Sequence, residues 1–185
     1  MESVEAKIDQ ITGELLLRGD SVMKGYYKRD DLTLEVIDNE GWLHTGDIAR
    51  IDNKTKLIYI TGRIKNMIVL SGGKKVFPEE IESVLEQSTN FAEVCVSGIT
   101  KNFGEKDGCE EIAAIIVPTE TYAKSFSNSD DLENSVKKEI KILSKQLAPY
   151  KRPINIIVRK ETLPRTTTKK LKRTEIKKAL CSNIV

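Results

Sequence analysis

Apolar residues in this chain come in short runs, and the spacing within each run decides between strand and helix. Leu15, Leu16 and Leu17 lie between Gly13 and Gly19 and predict a strand, followed by an aromatic-bearing turn, Val22-Met-Lys-Gly-Tyr-Tyr27. Asp30 to Val36 reads as a short helix with Asp30 as its cap. After the turn Asp38-Asn-Glu-Gly41, the segment Trp42 to Ile51 predicts a strand that Gly46 breaks just before Asp47. Asp52 to Thr55 reads as a hairpin turn, and Lys56 to Thr61 as its return strand. Further along, Phe91 to Ser97 alternates as a strand does. Glu111 to Val117 is a nearly continuous apolar run that predicts a buried strand ending at Pro118. The charged segment Thr100 to Gly108, with two glycines, reads as a mobile loop. Leu132, Val136, Ile140, Leu143 and Leu147 recur at steps of three and four. A helix therefore opens within Ser127 to Asp131 and runs towards Leu147, with Pro149 ending it. Pro153 to Val158 predicts one more strand, and Lys172 to Cys181 a final basic helix.

The stretch from Thr61 to Glu82 organises the rest. Met67 to Leu70 is an apolar run bounded by Asn66 and by Ser71-Gly-Gly73, which fits a buried strand. Gly72 and Gly73 can take positive φ and let a backbone or a ligand approach closely. Pro78 suits the first turn of a helix, and Glu79, Glu80 and Glu82 face its positive end. Ile81, Val84 and Leu85 give that helix an apolar face. The local physics is a compact turn between strand and helix, flanked by cations.

Three motifs in order carry a resemblance. Gly41-Trp-Leu-His-Thr-Gly-Asp47 comes first, then Gly62-Arg63-x-Lys65 with Gly73, Pro78 and Glu80-Ile-Glu82, then Leu163-Pro-Arg-Thr-Thr-Thr-Lys-Lys-Leu-Lys-Arg173. Together they resemble the Thr-Gly-Asp, hinge and C-terminal lysine motifs of the adenylate-forming acyl-CoA synthetase (AMP-binding) superfamily. Met23-Lys-Gly-Tyr-Tyr27 and Lys65-Asn-Met-Ile-Val-Leu70 are most similar to bacterial long-chain fatty acid–CoA ligases. The resemblance implies an α+β fold: a small C-terminal domain over residues 63–185, with a central sheet flanked by helices. Residues 1–62 would then be a β-rich remnant closing the large N-terminal domain. The chain starts almost directly in a strand, as if cut from a longer one.

The same resemblance implies roles for individual residues. Asp47 would accept hydrogen bonds from the ribose hydroxyls of ATP and of the acyl-AMP; read alone, it could equally cap its turn. Arg63 offers a planar fork of donors for ribose or phosphate oxygens, or an ordinary salt bridge. Lys65 matches the hinge about which the small domain rotates. Lys170 would be the catalytic cation that stabilises charge gathering on the α-phosphate as the carboxylate attacks. Lys169 is the alternative one residue earlier, in a position where many members have glycine, and both lysines could be plain loop charges. Gly72 and Gly73 would leave room for the pantetheine of CoA, with Lys74 and Lys75 near its phosphates or merely solvated. His44, the single histidine, reads as a surface residue beside the nucleotide. The activity implied is adenylation of a fatty acid by ATP, then thioester formation with CoA, by an enzyme completed by the missing N-terminal domain. Mg ligands and the acyl pocket would lie in that domain, so this chain alone would be inactive.

Composition narrows the alternatives. With 185 residues, 39% hydrophobic and 31% charged, the chain can hold one ordinary domain, or one small domain plus part of another. Net charge is only +2, but Arg159 to Lys178 is strongly basic, so the remainder is acidic. That run fits phosphate-bearing ligands or a solvated helix face. A nucleic-acid-binding module is the competing class, although no aromatics interleave with the basic run and no recognised motif appears. Another carboxylic-acid activator of the same superfamily is the nearer competitor. Cys95, Cys109 and Cys181 are widely spaced, which suggests neither a metal site nor a disulfide framework, and a cytoplasmic setting. No apolar run reaches the ~18 residues of a transmembrane span, which leaves peripheral membrane contact open.

Overall fold

The computed structural model describes residues 4–100 and 110–182, so the expected loop Thr100 to Gly108 lies almost wholly outside the described residues. The chain divides into two compact units, Met1–Lys65 and Asn66–Val185.

The first unit is an antiparallel meander of β1 (Glu5–Ile8), β2 (Glu14–Arg18), β3 (Leu43–Ile51) and β4 (Ile58–Arg63). β1 was not anticipated, because its sequence, Glu-Ala-Lys-Ile, has too few apolar residues to signal a strand. The helix α1 (Asp30–Val36) forms where expected. However, Asp30 is its first helical residue and Arg29 its N-cap, with no side-chain cap bond. Gly46 does not break β3. It takes φ +73° and produces a bulge, so the register with β2 shifts between the pairs Leu16–His44 and Glu14–Ile48. The hairpin turn also extends further than expected. Lys56 at φ +59° closes it, and β4 begins at Ile58. Leu15, Leu16, Trp42, Ile48 and Ala49 are buried, and Lys7 and Arg18 lie over the Trp42 ring at 3.9 and 4.5 Å.

The second unit opens with a hairpin, β5 (Ile68–Val69) paired with β6 (Lys75–Val76). The glycine turn therefore returns the chain as a strand before the helix begins. α2 (Pro78–Leu85) follows with Pro78 in its first turn and Ile81 and Leu85 fully buried. The central sheet has the order β7 (Phe91–Thr100), β8 (Glu110–Pro118), β9 (Asn155–Val158), antiparallel and then parallel. The parallel step requires a crossover, supplied by α3 (Glu120–Lys124) and α4 (Ser129–Leu143). α4 ends at Leu143, and a 3-10 turn, Ser144–Gln146, carries the chain to the buried Leu147. α5 (Arg173–Ser182) closes the described residues.

Period-two alternation gives the sheet two buried faces. Val94, Val96, Ile112, Ala114 and Ile116 pack on α2 and α4 through Ile81, Leu85, Leu132, Val136 and Ile140. Cys95, Ile99, Ala113, Ile115 and Val117 pack on the other face against Leu163, Ile176 and Leu180. This explains why β8 reads as an unbroken apolar run: it is covered on both sides.

Candidate functional site

The β3–β4 ladder sets Asp47 opposite Arg63, whose Nε donates to Asp47 Oδ1 at 2.5 Å. The bulge at Gly46 gives Asp47 its setting. The N–H of Gly46 donates to Glu14 Oε1 at 2.7 Å, and Glu14 Oε2 lies 3.0 Å from His44 Nδ1. Glu14 is only 7% exposed, so a buried carboxylate on β2 holds the turn that presents Asp47. A Cβ at Gly46 would meet nothing within 4 Å, so conformation, not space, favours glycine there. His44 is thus a partner of Glu14 and not simply a surface group. Beside this turn opens a cleft of about 660 Å³, with Tyr26, Leu34, His44, Gly46 and Lys65 in its walls.

In the second unit, Arg165 and Leu171 bridge to close a tight turn. Within it the N–H of Thr166 donates to Lys170 O at 2.8 Å, and the N–H of Lys169 to Thr166 O at 2.9 Å. Lys169 adopts φ +62°, a left-handed conformation that suits glycine. The turn is pinned from below. Arg165 donates to Lys169 O at 2.8 Å and to Glu93 Oε1 at 3.0 Å, while Glu93 Oε2 accepts from the N–H of Leu163 at 2.6 Å. Lys170 is exposed, and its ammonium has no partner among the described residues.

Just beyond, Arg173 anchors the start of α5. Its guanidinium donates to both carboxylate oxygens of Glu82 on α2, at 2.8 and 2.6 Å, and to Val96 O at 3.1 Å. Glu82 also accepts from the N–H of Val96 at 2.7 Å. Its carboxylate is therefore a buried tie between α2, β7 and α5, not a first-turn surface charge. Other members of the basic run are paired as well: Arg159 with Glu161, Lys172 with Glu175, and Lys177 with Glu110.

Gly72 and Gly73 form the tip of the β5–β6 hairpin at φ +83° and +75°, and a Cβ on either would meet nothing within 4 Å. The tip is open and free of side chains. Lys74 lies over the Tyr150 ring at 4.6 Å, and Lys151 next to it pairs with Glu80 at 2.6 Å.

Residues 80–170 match the family model described as "AMP-binding enzyme C-terminal domain". They are an AMP-binding enzyme C-terminal domain. Over 172 residues the chain is 36% identical to the long-chain-fatty-acid–CoA ligase FadD13 of Mycobacterium tuberculosis, covering 93% of this chain and 30% of that protein. It is 39% identical over 161 residues to the 2-succinylbenzoate–CoA ligase of Oceanobacillus iheyensis, covering 87% and 29%. Among solved structures, the O-succinylbenzoate Coenzyme A synthetase of Bacillus subtilis, in complex with AMP, superposes with a TM-score of 0.70 at 30% identity, covering 95% of this chain and 34% of that one. The chain thus spans about 30% of the length of the curated relatives it matches.

Within this AMP-binding C-terminal domain and the segment before it, the residues singled out from sequence fall into three places. Asp47 and Arg63 meet on adjacent strands, and Lys65 lies in the 3-10 turn Ile64–Asn66, where the first unit ends. Gly72 and Gly73 share one hairpin tip, and Lys170 occupies a separate turn. Sequence reading missed Glu14 and Glu93, and the supporting roles of Glu82, Arg165 and Arg173. Arg165 and Arg173 stood inside the motif. Their carboxylate partners lie 72 and 91 residues away, which no local pattern signals.

Proposed function

We propose that this chain is the closing part of an ATP-dependent carboxylate–CoA ligase and that Lys170 is the cation of its adenylation step. The observation that carries the reading is the turn at 165–171: a lysine whose ammonium has no partner among the described residues, on a turn tied by five polar contacts to its own backbone and to Glu93. A catalytic cation needs such a setting, since it must reach the ligand yet not be neutralised beforehand. Lys169 is exposed as well, and its ammonium likewise has no partner among the described residues, so the choice of Lys170 over Lys169 rests on its place in the motif.

Asp47 would hold the ribose diol, with Arg63 beside it orienting the carboxylate and reaching ribose or phosphate oxygens. Their pairing across β3–β4 favours this arrangement. Lys65 would be the hinge, a role favoured by the division of the chain into compact units directly after it. Rotation there would withdraw Lys170 and bring the Gly72–Gly73 tip to the thioester step, where a side-chain-free surface admits pantetheine. ATP and CoA are substrates in this scheme. Mg ligands are assigned to the part of the parent that this chain does not span. The exposed apolar strip Leu57 to Ile60 on and beside β4 would be covered by that part, and the isolated chain would not form acyl-CoA.

The substrate we favour is a long-chain fatty acid, in keeping with the FadD13 relative. A compact aromatic acid is the rival, raised by the 2-succinylbenzoate relative. Pyrophosphate release by the full-length parent across an acyl-chain and aryl-acid series decides between them. Lys170→Ala should lower that release by roughly 10²–10³-fold while leaving thioester formation from preformed acyl-AMP intact. Unchanged release would move the role to Lys169 or undo the assignment.

A further inference from the structure

Between the end of α4 and β9 lies a second cleft of about 450 Å³, within the range of ~300–1,000 Å³ typical of small-molecule sites. It includes no residue of the motifs discussed above. Its walls include Ile140, Pro153 and Ile156, and its rim carries Lys137, Lys141, Lys145 and Arg152. Among the described residues, no acidic side chain lines it. Ser144 lines it too, is 2% exposed, and its hydroxyl has no hydrogen-bond partner among the described residues.

These features point the same way. An orphaned buried hydroxyl is costly, by ~1–3 kcal/mol, and native structures seldom leave one unexplained. Here it belongs to an apolar slot with a cationic rim, which is the complement of an amphiphile carrying one anionic head. Two of the rim cations are already engaged. Lys137 reaches Glu133 at 3.4 Å, and Arg152 donates through Nε and Nη2 to Leu147 O at 3.3 Å. Lys141 and Lys145 have no partner among the described residues. They flank Ser144 at one turn's spacing and one residue, so two unneutralised ammonium groups and one unmet hydroxyl sit at the same mouth.

We propose that this cleft is a binding site for an amphiphilic anion, an aliphatic chain ending in a carboxylate or phosphate. The chain lies against Ile140, Pro153 and Ile156, the head meets Lys141 and Lys145, and a head-group oxygen or the water beside it satisfies Ser144. Such a ligand could arrive free or as part of a phospholipid surface. The site does not depend on the ligase reading, because it shares no residue with the adenylation or CoA assignments.

The test uses the 185-residue chain, with dodecyl phosphate, dodecanoate and dodecanol below their aggregation limits, and vesicles of phosphatidylglycerol against phosphatidylcholine. Calorimetry should show one saturable site for the two anions, with dodecanol at least about fivefold weaker. Lys141→Glu with Lys145→Glu, both on exposed side chains, should weaken the anions by roughly tenfold. Ser144→Ala should weaken them severalfold while leaving the melting temperature equal or higher, since it removes an unsatisfied group. NMR shifts should centre on Ser144 and Ile156. Binding of phosphatidylglycerol vesicles with the same variant sensitivity would identify the lipid surface as the source, and binding of the free amphiphiles alone the soluble one. No binding of any probe, or binding that ignores both the charge reversal and Ser144→Ala, would overturn the proposal.

Discussion

Lys169 at φ +62° carries a β-carbon in a conformation that costs ~1–2 kcal/mol for a residue other than glycine. Replacing it with glycine removes that strain but adds freedom to the unfolded chain. Lys169→Gly should therefore stabilise the second unit by a net ~0.5–1 kcal/mol, seen as a higher urea midpoint with an unchanged slope. The sequence marked this position as unusual, since relatives by resemblance carry glycine there, but only the backbone angle gives the reason. A second residue-level expectation concerns Cys95. Burial pushes its thiol up to about 11 from an ordinary 9.0. The folded state then keeps its proton where the unfolded chain has lost it, so stability should fall as pH rises from about 9 towards 11. Peptide-resolved alkylation at neutral pH should spare Cys95 in the native protein and modify it in urea; rapid native labelling would show that β7 opens readily.

Among elements, the tie from α5 to α2 and β7 hangs on one buried ion pair. Arg173→Met leaves Glu82, 7% exposed, with the Val96 N–H but no cation, at a cost of ~2–4 kcal/mol. Glu82→Gln added to it should recover much of that loss, because the neutral amide can still accept from Val96; thermal melts of the single and double variants measure the difference. The elements themselves were largely legible. β2, β7, β8, α2 and α4 follow from period and punctuation, since their apolar faces meet a core. What escaped had weak local signals. α3 is five residues long and buries none fully, β1 has little apolar content, and β6 is two residues whose pairing is imposed by the glycine hairpin. At Gly46 the glycine was seen but its effect misjudged, because a bulge needs Glu14 on the neighbouring strand to hold it.

For the whole molecule, the division after Lys65 supplies a test of the hinge assignment. Lys65→Pro fixes φ and removes an N–H in the 3-10 turn Ile64–Asn66. In the full-length parent it should slow one half-reaction far more than the other, by at least about tenfold, when adenylation and thioester formation are timed separately. Equal rates for both would remove domain rotation from the scheme. The candidate site was legible as motifs, while its supports were not, since charge partners distant in sequence are chosen by the fold. The two-faced sheet has one more consequence, for biosynthesis. The face of Cys95, Ile99, Ala113 and Ile115 receives its cover from Leu163 and α5, which leave the ribosome well after β7 and β8. Until they emerge, a nascent chain that has already paired β7 with β8 presents an oily surface to the cytosolic quality-control machinery of any producing cell. Ribosome-stalled chains ending at Arg159 should crosslink to hydrophobic-binding chaperones, and chains extended past α5 should let them go.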